Sequence, residues 1–297
     1  MRQITIIGTG LIGGSLALGL KQRGFGGRVV GCDRAAVLAG AKDRGAIDIG
    51  FEDPRQASEG SDVIVLATPV GGIIDLVERL GPVLPAGTLL TDVGSTKAEI
   101  LARARQVFGE GAGRRFLAGH PMAGKEVGGI AHADPDLFVG AVWLITPLPG
   151  QEDELCGGGS PIRPAGSETR PTPVREFAGW ISRLGARLIT MDAARHDRLC
   201  AWISHLPQML SAALAATLEG EFGDDPELHA IGGRALREMT RLAQSPYPMW
   251  RDIALTNTAN LQEALLRLEQ RLAYLRENLR TRALESEFEQ AARFKQS

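Results

Sequence analysis

Cysteine is scarce in this sequence: Cys32, Cys156 and Cys200 are the only three in 297 residues. An odd, scattered set makes no disulfide framework and has no zinc-ligand spacing, so a reduced, cytoplasmic protein without a metal is expected. An excess of charge is also missing. Lys and Arg number 33 against 35 Asp and Glu, a formal net charge of −2. That gives no general attraction to nucleic acid or to an anionic membrane. No stretch approaches the ~18 unbroken apolar residues of a membrane span. The apolar run at residues 4–7 is too short for a signal peptide, and no small-residue cleavage site follows it. What remains is ordinary globular composition, 23% charged and 44% hydrophobic, in a chain long enough for about two domains. Glycine is the residue in excess, with 37, many of them where strands hand over to loops.

From residue 3 to about 147, short apolar runs alternate with helical patterns. The runs are 4–7, 28–32, 63–67, 88–93, 116–119 and 141–145. Continuous apolar strands separated by helices predict a parallel sheet covered on both faces, the doubly wound α/β arrangement. Residues 148–174, rich in Gly, Pro, Ser and Glu, break the pattern and read as a mobile surface loop without a catalytic role. A helix at 174–184 and a strand at 187–190 then close a Rossmann domain spanning 1–191. Residues 192–297 read as all-helical. In their last long segment Leu261, Leu265, Leu268, Leu272, Leu275 and Leu279 form a heptad stripe. On pattern alone this stripe is either an internal core face or a dimer seam.

Gly8, Thr9, Gly10, Leu11, Ile12 and Gly13 follow the first strand directly and open a helix. Gly8 allows a tight turn, Gly10 lets the backbone approach a pyrophosphate, and Gly13 lets helix pack on strand. The helix start, including Leu11 and Ile12, offers unpaired N–H groups to the phosphates. Asp33 lies twenty residues past Gly13, at the end of the second strand. A carboxylate there accepts from both ribose hydroxyls and repels a 2′-phosphate, which favours NAD. The adjacent Arg34 could tolerate that phosphate, so NADP stays possible. Thr68, ending another strand, reads either as a cofactor contact or as the cap of the next helix.

Two further strand ends carry reactive groups, at residues 92–97 and 119–126. His120 sits in a Gly/Pro-rich turn on the edge where a nicotinamide would lie. With an ordinary pKa near 6.5 it suits a general base for an alcohol oxidised by hydride loss. At these motifs the sequence resembles a known family, the prephenate and arogenate dehydrogenases of tyrosine biosynthesis. The resemblance runs along essentially the whole chain. It is carried by GTGLIGGS from Gly8, DVGSTK from Asp92, GHPMAGKE from Gly119, SHLP from Ser204, TRLA from Thr240 and MWRD from Met249.

The resemblance implies an NAD-dependent oxidative decarboxylation of prephenate or arogenate, with His120 taking the ring hydroxyl proton. It implies that Ser95 orients His120 and the substrate hydroxyl, and that Arg241 binds a substrate carboxylate through its planar fork of donors. Glu126 matches an acid near the active-site mouth. Many prephenate-using members read SHLPH where this chain has Gln208, which leaves the contact at that position and the choice of substrate open. A stretch often seen as GGGF reads Gly232, Gly233, Arg234, Ala235. The family dimerises through its helical domain, so a homodimer with a small-molecule substrate is expected, in a minimal, monofunctional form. His196, Asp197 and His205 read as structural, and Trp250 as an anchor of the helical core. Competing readings are another Rossmann dehydrogenase of the imine or β-hydroxyacid reductase type, and a non-catalytic NAD-sensing module.

Overall fold

The computed structural model describes residues 1–155 and 172–296. Eight strands form one sheet: β1 (Gln3–Ile7), β2 (Arg28–Cys32), β3 (Ile49–Phe51), β4 (Val63–Leu66), β5 (Leu89–Asp92), β6 (Phe116–Pro121), β7 (Val142–Thr146) and β8 (Arg187–Thr190). Their order is 3-2-1-4-5-6-7-8. The chain reverses its direction of winding between β1 and β4, and ligands of such sheets bind beyond the strand ends at that crevice. The expected doubly wound sheet is therefore present, with two differences. β3 is an added strand, and β7 runs antiparallel to β6. A parallel neighbour needs a crossover that returns the chain to the starting edge. Between β6 and β7 the chain has only a loop with one short turn, Ile130–His132, so it must come back from the edge where it left.

Apolar side chains cover both sheet faces. Ile4, Ile6, Leu16, Leu20, Trp143 and Phe177 lie in one core, and Ile7, Ile64, Ile73, Leu90 and Ile100 in the other. The segment expected as a loop from residue 148 is partly built into this core. Leu148 is buried, and the buried Gln151 amide donates 2.8 Å bonds to the carbonyls of Gly113 and Phe116. A short helix follows at Glu152–Leu155. The rest of that expected loop, residues 156–171 with Cys156, lies outside the described residues.

The C-terminal part is helical, as expected. It begins with Ala193–Cys200, a π-helical turn at Ala201–His205, and Leu206–Phe222. Pro207 lacks an N–H and its ring crowds the preceding turn, and the widened turn sits directly before it. Ala193–Phe222 is long and apolar enough to cross a membrane by length and composition. Its buried His196, Asp197, His205 and Gln208, all between residues 196 and 208, have hydrogen-bond partners within the protein. Tyr247–Thr256 and Thr258–Glu277 follow, then Ala283–Gln296. Asp252 joins the two halves: its carboxylate accepts from the Gly71 N–H at 2.9 Å, at the start of the helix Val70–Leu80.

Candidate active site

The turn after β1 has the shape its glycines predict. Gly8 takes φ +96°, a backbone that L side chains rarely adopt, and a Cβ there would also collide with the Ala67 carbonyl. A Cβ on Gly13 would run into the Gly8 carbonyl, so this glycine sets how closely the helix Leu11–Gln22 meets the strand. Gly10 differs: a side chain there would meet no atom within 4 Å. It faces open space at a helix start that no side chain caps. Free N–H groups, the helix dipole and an open approach fit a pyrophosphate. Asp33 stands at the end of β2, its carboxylate accepting from the N–H groups of Thr9 and Arg34 at 2.8 Å each. Arg34 is exposed. Thr68 does not cap the next helix, Val70–Leu80, whose N-cap position is held by Pro69 with no side-chain cap.

Beside this turn lies a cleft of about 390 Å³. It brings together Leu11 and Ile12 from the glycine turn, Ser95 after β5, His120 and Glu126 from β6 and its loop, and Gln208 and Arg241 from the helices. Trp250 also lines it, with its ring packed edge-on against His205 of the helical part at 5.9 Å. The carboxylate of Glu126 pairs with the guanidinium of Arg241 across the mouth. Gln208 is buried, and its amide donates to the Leu242 carbonyl at 2.8 Å, next to Arg241 in the chain. Its amide N–H is thus engaged by the protein backbone. Ser95 shares the cleft with His120, but among the described residues no hydrogen bond joins the two.

His120 has a different partner. Its Nδ1 lies 2.9 Å from Nε2 of His196, and Nδ1 of His196 lies 2.8 Å from Oδ1 of Asp197. The Asp197 carboxylate also accepts from the Lys97 N–H at 2.7 Å and the Ala98 N–H at 2.9 Å. All three side chains are buried. Burial pushes the His120 pKa well below 6.5, and the neighbouring His196, Lys97 and His205 push the same way, so the imidazole is neutral at pH 7. Besides the structural role expected of them, Asp197 accepts from the N–H at the start of the Ala98–Phe108 helix, and His196 contacts the candidate base. Sequence reasoning also passed over Lys97. Its buried ammonium pairs with Asp92 and donates to the Gly119 carbonyl at 2.8 Å, tying the end of β5 to the end of β6. The lysine of the DVGSTK motif was the available signal.

The family description "Prephenate dehydrogenase, nucleotide-binding domain" matches residues 16–155, and "Prephenate dehydrogenase, dimerization domain" matches residues 192–294. The chain belongs to the prephenate dehydrogenase family. It is 31% identical to the prephenate dehydrogenase of Lactococcus lactis, over 100% of this chain and 77% of that one. Among solved structures it resembles the Aquifex aeolicus prephenate dehydrogenase in complex with hydroxyphenyl propionate and NAD+, with a TM-score of 0.81 and 28% identity, covering 100% of this chain and 96% of that one. The Synechocystis arogenate dehydrogenase gives a TM-score of 0.72 at 28% identity, covering 99% and 100%.

Proposed function

We propose that the protein oxidises prephenate or arogenate with NAD and releases the ring carboxylate as carbon dioxide. Family membership sets the reaction class. The observation that carries it at residue level is the cleft that gathers Ser95, His120 and Arg241 beside the glycine turn. Bound at that turn, NAD supplies the hydride acceptor. His120, held neutral, takes the proton of the ring hydroxyl as hydride leaves the same carbon. Electron flow then breaks the bond to the ring carboxylate, and aromatisation drives the step. Arg241 exchanges its pairing with Glu126 for a substrate carboxylate, and its planar fork fits either. Ser95 donates to the substrate hydroxyl region. Asp33 binds the ribose hydroxyls and Thr68 a neighbouring part of the cofactor.

Residues 1–191 form the cofactor domain and 192–297 the helical domain that completes the substrate site. A second copy docks on the helical domain, in a soluble, cytoplasmic homodimer. The test is turnover of prephenate and of arogenate, each with NAD and with NADP. Carbon dioxide release coupled to NADH formation is expected with at least one substrate. No turnover with either substrate and either cofactor would overturn the reading, and a higher kcat/KM with NADP would overturn the role given to Asp33.

A further inference from the structure

We infer that Asp197 and His196 act as a positioning relay that fixes the tautomer of His120, leaving its Nε2 as the lone pair that meets the substrate. The inference rests on the reading of His120 as general base. The Asp197 carboxylate, engaged by two backbone N–H groups, can only accept. The His196 Nδ1 at 2.8 Å must therefore carry the hydrogen. With its single N–H directed at Asp197, His196 in its neutral form accepts on Nε2. At 2.9 Å from it, His120 Nδ1 must donate. The lone pair of neutral His120 is then on Nε2. Which nitrogen of a histidine is protonated is set by the bond that the other nitrogen makes. Here the setting passes through a second histidine.

Other side chains pack around this relay. The groups facing it are Lys97 with its partner Asp92, the Cys200 thiol and His205. Cys200 Sγ lies 3.6 Å from His196 Nε2 and 3.9 Å from His120 Nδ1. Burial pushes the thiol up to about 12, so it stays protonated and adds no charge. His120, His196 and Cys200 would also offer three ligand atoms to a metal. The nitrogen–nitrogen separation of 2.9 Å is that of a hydrogen bond. When His120 accepts the substrate proton on Nε2, the imidazolium keeps its Nδ1–H directed at His196, and the Asp197 carboxylate balances the charge two bonds away. The same carboxylate receives the N–H groups of Lys97 and Ala98, which follow Ser95 in the chain.

The test compares His196→Phe with His196→Gln. Phe keeps an aromatic ring and removes the acceptor. The Gln side-chain oxygen can still accept from His120 Nδ1. In His196→Phe, kcat should fall on the order of 10²-fold or more, as when the orienting partner of a catalytic histidine is lost. KM and NAD affinity should stay within about twofold of the parent protein, a result that also reports an intact fold. His196→Gln should recover most of the loss. The ¹⁵N shifts of His120 in the unsubstituted protein, one of only five histidines, should show a protonated Nδ1 and a bare Nε2. An unprotonated Nδ1 there, or an unchanged kcat in His196→Phe, would overturn the relay. If His120→Asn remains active, it is the general-base reading that fails, so the two failures are distinguishable.

Discussion

At the scale of single residues, His120 and Arg241 carry the predictions because their environments differ so much. His120 is almost fully buried, and burial lowers its pKa well below 6.5. A base must be neutral to act, so activity falls only when pH drops through that lowered value. The acid limb of kcat/KM should therefore lie below pH 6.5, and His120→Asn should lose on the order of 10²–10⁴-fold in kcat together with that limb. An acid limb at or above 6.5 would assign it to another group. Arg241 is more than half exposed, and its pairing with Glu126 is a surface ion pair, worth about 0–1 kcal/mol to stability. Arg241→Ala should thus leave the melting temperature nearly unchanged while raising KM strongly. A loss of about 2–5 kcal/mol in kcat/KM is expected if the arginine meets a desolvated carboxylate. Unchanged kinetics would move the carboxylate contact elsewhere. Gly8 and Gly13 were legible from the sequence because their roles depend on local spacing after one strand. His196 was not, because its contact with His120 joins positions 76 apart that only the packed fold brings together.

At the scale of elements, strands were legible as apolar runs, but their direction was not. The run at 141–145 looks the same whether its strand is parallel or antiparallel, and the answer lies in the missing crossover helix before β7. β3 was missed because it is three half-exposed residues centred on a glycine, Ile49, Gly50 and Phe51, with no alternation to read. The functional elements are joined by a buried ionic staple. Lys97 and Asp92 are both fully buried, and Lys97 also holds the Gly119 carbonyl of β6. Removing one partner of such a pair leaves an uncompensated charge, which costs about 3–5 kcal/mol. Lys97→Met, close in volume, should lower stability by that amount in denaturant titration. It should also reduce kcat, because the staple keeps the strand ends bearing Ser95 and His120 together. A stability change below about 1 kcal/mol would mean that Asp92 finds another partner or is reached by water.

At the scale of the whole molecule, the sequence left the leucine stripe between an internal core and a dimer seam, and exposure separates the two. Leu261 is buried against the rest of the chain, whereas Leu265, Leu272 and Leu279 are 39%, 52% and 64% exposed. The helix itself ends at Glu277, so Leu279 lies just beyond it. Leu265, Leu268 and Leu272 line a groove with Met209, Leu210 and Ala213 of the helix Leu206–Phe222. Ile231, Phe222 and Met239 are exposed elsewhere on the helical part. Contiguous exposed apolar side chains of this kind suit an interaction face. Burial of a Leu side chain stabilises by about 1.5–3 kcal/mol, so a symmetric interface that covers Leu268 and Leu272 of both copies gains from each twice. Light scattering at micromolar concentration should therefore give the mass of two chains. Leu268→Asp combined with Leu272→Asp places four desolvated carboxylates in that seam and should shift the mass to one chain, with the far-ultraviolet helix signal retained. A monomeric parent protein would return the exposed leucines to the role of unpartnered surface. A double variant that stays dimeric would move the seam to the face carrying Phe222 and Ile231.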